Sequence, residues 1–308
     1  MTPTPTLRHK IEALGFRFLI GLVGLFPVKS CSNFGGFLGR TIGPRLGITR
    51  KADLNLRLAL PELSSQERKN IIRDMWDNLG RVIFEYPHLK EIVQLDKGYI
   101  TVEGIEKFEA PDVKDKAKIF VGAHIGNWEV MPMTAALRGY PQTIIVRQPN
   151  NPLVAQEIDD IRTSTGNISA SKGVEGARAS LKAIRNGSAV GILADQKMND
   201  GIEAPFFDIP AMTPAAPALL GAKKNAVVFP IQCRRTGPAS FHLICHSAVD
   251  FPNTLNREQA GLEGMTELNK IIEGWIREKP GDWLWLHRRW PKEAYNKLKE
   301  TALLRFVE

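Results

Sequence analysis

One stretch of this chain carries residue types that could do chemistry at a useful spacing: Ile119-Phe-Val-Gly-Ala-His-Ile-Gly-Asn-Trp-Glu-Val-Met-Pro132. A buried-type apolar run ends at His124, and a helix is expected to begin near Asn127. Ligands in open α/β sheets collect at that edge. On one continuous helix, five steps of ~100° would turn His124 and Glu129 apart. A turn from loop to helix can instead bring them together, with Glu129 accepting a hydrogen bond from one imidazole nitrogen and leaving the other as a base. Such a dyad has no nucleophile of its own. The attacking oxygen must then come from a substrate hydroxyl, and acyl transfer by direct attack is the reaction that fits.

A lone His and Glu would be better explained as a strand-end residue and a partner of the helix dipole. The neighbours argue otherwise. Gly122 and Gly126 flank the histidine where the backbone must approach something closely. Asn127 can cap a helix whose free N–H groups could face an oxyanion.

Other chemistries lose ground. The chain has no Gly-x-Gly pair for a dinucleotide loop, no Gly-Lys-Ser/Thr for a phosphate loop and no G-x-S-x-G elbow. His242 and His246 lie on a strand-like run without nearby carboxylates and read as hairpin residues. Cys31, Cys233 and Cys245 form no C-x-x-C pair, and Cys233 and Cys245, in apolar strand-like runs, read as small buried side chains. No metal and no cofactor is expected.

The elements that must position His124 emerge from the pattern after Lys97, where short apolar runs bounded by turn residues alternate with longer periodic segments. Strands are expected at 118–123, 143–147, 189–194, 227–233 and 241–249, with helices at 127–137, 152–164, 174–186, 214–223 and 257–277. The fold class implied is α/β, a mostly parallel central sheet flanked by helices and closed by an antiparallel hairpin at Thr236-Gly237-Pro238. Asp195 follows the expected strand 189–194, so it should share the sheet edge with His124, where a carboxylate could bind acceptor hydroxyls. Upstream, Ser64, Ser65 and Glu67 mark a helix start, and Ile71 to Ile83 recur at helical spacing up to Pro87.

The chain has 308 residues, 43% hydrophobic and 24% charged, with a formal net charge of +8. It can bury a sizeable core and suits an anionic partner. The N-terminus holds an apolar run from Phe18 to Val28 behind Arg8, Lys10 and Arg17. The run falls short of the ~20 residues that span a bilayer, and no clean cleavage site follows it. An interfacial or re-entrant anchor is the better reading, a single span the alternative. Two units follow: residues 1–50 as an N-terminal helical membrane-associating segment, and 51–308 as the catalytic domain. Trp283, Trp285 and Trp290 with Arg288 and Arg289 suit either a membrane interface or a core-packed tail.

The segment His124, Gly126, Asn127, Trp128 and Glu129 resembles the His-x-Gly-Asn-Trp-Glu form of the lysophospholipid acyltransferase-like superfamily's H-x-x-x-x-D/E motif. That form is found in the late lipid A biosynthesis acyltransferases. The resemblance covers most of the chain, including Asn78-Leu-Gly-Arg81 with Glu85, Arg147 before Asn151-Pro152, Arg162, Asp195-Gln196, Pro205-Phe-Phe207 and the ending Trp-Leu-His-Arg-Arg-Trp290. It implies an O-acyltransferase with His124 and Glu129 catalytic and Gly126, Asn127 and Asp195 at the substrate. Either Arg147 or Arg162 would hold anionic groups, since a guanidinium grips phosphate in a bidentate way. The implied donor is an acyl carrier protein and the implied acceptor a Kdo-primed lipid A precursor, at the cytoplasmic face of the bacterial inner membrane. Relatives acylating another membrane glycolipid, such as a phosphatidylinositol mannoside, share these features. The loop 205–213 would line an acyl channel, although Asp208 stands where the family often has Gly. A non-catalytic basic membrane or nucleic-acid binder is the competing class. The positive residues are dispersed and no groove-reading motif occurs, so no nucleic-acid partner is expected.

Overall fold

The computed structural model describes residues 5–223, 225–249, 251 and 256–304. The ends of the two expected units, residues 1–4 and 305–308, lie outside it. Four helices come first: α1 (Leu7–Gly24), α2 (Val28–Ile42), α3 (Thr49–Ala59) and α4 (Ser65–Glu85). Helix α4 opens on the expected capping box, with Ser64 Oγ accepting from Glu67 N–H and the Glu67 carboxylate accepting from Ser64 N–H. The short α5 (Leu89–Ile92) leads to β1 (Ile100–Glu103), followed by β2 (Ala117–Gly122), α6 (Val130–Leu137), β3 (Gln142–Val146), α7 (Pro152–Thr163), β4 (Ile168–Ser171), α8 (Val174–Arg185) and β5 (Ala189–Leu193). Then come β6 (Ile202–Phe206), β7 (Ile209–Thr213), α9 (Ala216–Gly221), β8 (Ala226–Gly237), β9 (Ser240–Cys245), α10 (Arg257–Glu278) and α11 (Lys292–Leu304).

Seven strands form one sheet in the order β1-β9-β8-β2-β5-β3-β4. Every neighbouring pair is parallel except β8 with β9, the hairpin at Gly237–Ser240. Strand β2 lies at the centre and all six of its residues are buried, as a strand covered on both faces requires. Its side chains alternate between two cores. Ile119 and Val121 join Val190, Ile192 and Val228 on one face, while Phe120 meets Phe229, Ile231 and Leu243 on the other. The strands β1 and β4, each only four residues long, were not among those expected, and the helix expected from Asn127 starts at Val130 instead.

One expectation is corrected here and one open choice is decided. Residues 205–213 are not a channel-lining loop. They belong to the separate antiparallel hairpin β6–β7, whose turn residues Phe207 and Asp208 adopt φ of 52° and 58°. Asn269 on α10 and Trp290 bind its backbone carbonyls. The tryptophan tail, for its part, takes the core-packed alternative: Trp283, Trp285, Trp290 and Arg289 are all buried, with Arg289 bonded to Met212 O and Thr213 Oγ1.

Helix α2 is pressed onto α4 through glycine. A Cβ on Gly35 would come within 2.4 Å of Gly80 O, so neither helix could approach this closely with a side chain there. On the outside of α1, Leu7, Ile11, Leu14, Phe18, Leu22 and Leu25 recur at helical spacing and are exposed. Phe26, Phe34 and Phe37 extend this apolar surface. No helix among the described residues is long and apolar enough to cross a membrane.

Candidate active site

The register of two strands builds the site. Gly122 at the end of β2 pairs with Leu193 at the end of parallel β5, so the residues two positions beyond, His124 and Asp195, face each other across the sheet edge. The imidazole Nδ1 lies 2.8 Å from Asp195 Oδ1, and His124 N–H donates to Oδ2 at 3.0 Å. Trp283 Nε1–H also donates to Oδ2, at 2.7 Å. A carboxylate only accepts, so the proton sits on Nδ1 and the lone pair on Nε2. Gln196 Nε2 lies 3.2 Å from that nitrogen.

Asp195 is buried. Burial alone would raise its pKa, but the charge and hydrogen bonds of His124, with the indole of Trp283, hold it well below the usual carboxylate range.

Glu129 does not take the place expected for it beside His124. It stands just before α6 and turns toward α7, where Arg162 Nε reaches its Oε2 at 2.8 Å and a terminal guanidinium nitrogen pairs with Oε1. No hydrogen bond joins Glu129 to the imidazole. The physical reason is the five-residue path: it runs through the β-bridge of Ile125 with Trp283 and a bend at Gly126, carrying Glu129 away from the nitrogen that Asp195 occupies. Burial opposes the charge on Arg162, but the hydrogen bonds and charge of Glu129 outweigh it and hold the guanidinium firmly protonated.

Asn127 and Gly126 also differ from expectation. Asn127 is buried and does not line the cavity described below. Its backbone carbonyl accepts from Val130 N–H at 3.3 Å and its side-chain oxygen from Glu129 N–H at 3.2 Å, so these two amides are not offered to an oxyanion. Gly126 has φ of 60° and sits against Cys233, where a Cβ would fall 2.7 Å from the carbonyl oxygen.

His124, Trp128, Glu129, Arg147, Arg162, Gln196 and His287 open on one cavity of about 1130 Å³, larger than most small-molecule sites of ~300–1,000 Å³. Its lining is largely apolar, with Phe108, Phe120, Met131, Ile144 and Leu193 among the wall residues, and carries basic groups at Arg147, Lys172, Lys197 and Arg288. Arg147 is exposed and makes no ion pair among the described residues. Trp128 leans over the imidazole with ring centroids 5.1 Å apart.

The places of Trp283 and His287 in the site escaped the sequence reading, which had Trp283 only in the tryptophan tail and His287 only in the run ending at Trp290; nothing there says that the chain returns to the sheet edge. Withdrawal from solvent, with the positive charges of His124, Lys51 and Arg147, lowers the His287 pKa. The histidines set aside earlier remain outside the site: His242 pairs with Glu103 and His246 stacks on Trp275. All three cysteines are free and buried.

The chain matches the family described as bacterial lipid A biosynthesis acyltransferase over residues 3–292. It is 26% identical over 272 residues to a lipid A biosynthesis palmitoleoyltransferase of Escherichia coli (strain K12), covering 82% of this chain and 83% of that protein. A lipid A biosynthesis acyltransferase of Haemophilus influenzae is 25% identical over 258 residues, with 80% and 77% covered. The lipid A biosynthesis lauroyltransferase of Escherichia coli is 22% identical over 247 residues, with 76% of each chain covered.

Proposed function

The chain belongs to the bacterial lipid A biosynthesis acyltransferase family, and on that premise we propose that it moves a fatty acyl group from an acyl carrier protein thioester to a hydroxyl of a Kdo-primed lipid A precursor. The observation that carries this reading is that His124, held by Asp195, lines a large cavity with apolar walls. Asp195 keeps Nδ1 protonated, so Nε2 takes the proton of the acceptor hydroxyl as its oxygen attacks the thioester carbonyl. The carbon–sulfur bond breaks, and the departing sulfur receives that proton to leave as the carrier's thiol. The apolar walls suit the acyl chain. Arg147, exposed and unpaired, suits a phosphate of either substrate. Arg162, held by Glu129, has less of its fork to offer, and the Glu129–Arg162 pair acts as a fixed charge pair on the cavity wall.

The exposed stripe of α1, continued by Phe34 and Phe37, supports an interfacial anchor that brings the cavity to a lipid surface at the cytoplasmic face of the inner membrane. The test is transfer in mixed micelles from acyl carrier protein loaded with defined chains to a purified Kdo-primed lipid A precursor, read by mass spectrometry. Formation of the acylated lipid in wild type but not in His124→Ala supports the reading. No product with any chain, or equal product in both, would end it.

A further inference from the structure

The six-residue segment from His124 to Glu129 is held from behind by a buried ion pair that the reaction does not use. Glu85, the last residue of α4, is fully buried, and its partner Arg235 on β8 keeps only 7% of its side chain exposed. Five donors converge on the Glu85 carboxylate. Oε1 accepts from Ser32 Oγ at 2.7 Å, Arg235 Nη1 at 2.5 Å and Ala239 N–H at 3.2 Å. Oε2 accepts from Arg235 Nη2 and from Asn127 Nδ2, each at 2.9 Å.

Arg235 carries a second branch. Its Nε donates to Asn78 Oδ1 at 2.8 Å, and Asn78 Nδ2 donates to Gly126 O at 2.9 Å and Asp282 O at 3.2 Å. Two hydrogen-bonded arms therefore leave one ion pair and close on adjacent residues, Gly126 and Asn127, midway between His124 and Glu129. Neither Glu85 nor Arg235 lines the cavity. Burial works against the charge of Glu85, but Arg235 and the hydrogen bonds of Ser32 and Asn127 hold its pKa below the usual range.

Stability is a poor explanation for this arrangement. Withdrawing two charges from water costs several kcal/mol per ion, and well-packed apolar residues often do as well in their place. What apolar residues cannot do is satisfy the Gly126 carbonyl and the Asn127 amide, and a fully satisfied polar network fixes one conformation. Misplacing a reacting group by ~1 Å can cost ~10²-fold in rate.

We propose that Glu85 and Arg235 are positioning residues, which act through Asn127 and Asn78 to set the backbone that carries His124 and Glu129. The proposal rests on the acyl-transfer reading of that site. Its test uses Asn127→Ala and Asn78→Ala, each of which cuts one arm and leaves the ion pair intact, beside Glu85→Gln and Glu85→Asp. Steady-state kinetics are measured in the same micelles and thermal unfolding in parallel. The expected result is a fall in kcat of about tenfold or more for each Asn variant with KM for both substrates within about threefold, and partial recovery in Glu85→Asp relative to Glu85→Gln. Should the Glu85 variants not fold, Asn127→Ala decides alone. A folded Asn127→Ala with wild-type kcat, or with only KM raised, overturns the proposal while His124-dependent transfer by wild type leaves the function standing. Absence of that transfer in wild type overturns both.

Discussion

His124 and Asp195 stand two residues beyond the paired ends of neighbouring parallel strands, and the imidazole Nδ1 meets the carboxylate at 2.8 Å. His124→Ala should lower transfer by ~10²–10⁴-fold, the usual contribution of a general base. Asp195→Asn should be a serious but smaller defect, because the amide oxygen stays with the His124 and Trp283 N–H donors and the NH2 then faces Nδ1, which favours the wrong tautomer. Groups acting as a unit are not additive, so the double variant should lose less than the product of the two. Intact-protein mass spectrometry with donor alone should show no acyl adduct. A stable adduct would replace direct attack by a two-step mechanism.

The two arginines separate by what holds them. Arg147→Ala should raise KM for the phosphorylated or carrier-bound substrate, more at low salt, and leave the melting temperature within a degree or so. Arg162→Ala leaves the buried Glu129 carboxylate without its partner, a loss that typically costs ~3–5 kcal/mol, so its melting temperature should drop by several degrees. Identical behaviour of the two variants in kinetics and calorimetry would contradict this division.

Acid should find Asp195. Its folded pKa is about 2, below the ~3.9 of an unfolded aspartate, so the unfolded chain binds the proton more readily. The stabilisation is fully present above the unfolded value and is lost as pH falls from about 4 through about 2. Denaturant titrations should show Asp195→Asn less stable than wild type at pH 7 by roughly 2 kcal/mol, with the gap closing below pH 4. Parallel stability curves down to pH 2 would rule out this linkage.

Lipid contact should depend on the outer stripe of α1. Leu14→Glu with Phe18→Glu places two charges on that exposed surface without touching the buried Ala13 or Val23. Sedimentation with anionic vesicles should then fall by about tenfold or more. Binding unchanged in the double variant would mean that another surface meets the membrane.

Much of the sheet was legible because each of its longer strands is a buried run bracketed by turn residues, and Asp195 was expected at the same edge as His124. Its partner was not. Pairing of Gly122 with Leu193 is a long-range register, invisible in a local motif, whereas Glu129 lay nearby in sequence and looked like the carboxylate in reach. The β6–β7 hairpin was hidden because Phe207 and Asp208 occupy positive φ without a glycine to announce the turn. The role of Trp283 was hidden for the opposite reason: its aromatic, basic neighbourhood suits a membrane surface as well as a core.

The stretch around Trp283 donates to Asp195, bridges Ile125 and gives Leu284 N–H to the His124 carbonyl. These contacts join His124 and Asp195 to a segment made well after both of them. A nascent chain that stops after β9 (Ser240–Cys245) would hold the histidine, its aspartate and most of the cavity, but neither the Trp283 indole on Asp195 nor the Leu284 amide on the His124 carbonyl. Enzymatic competence should therefore appear late and abruptly during synthesis, so that ribosome-bound and prematurely terminated chains bind lipid through α1 yet transfer nothing.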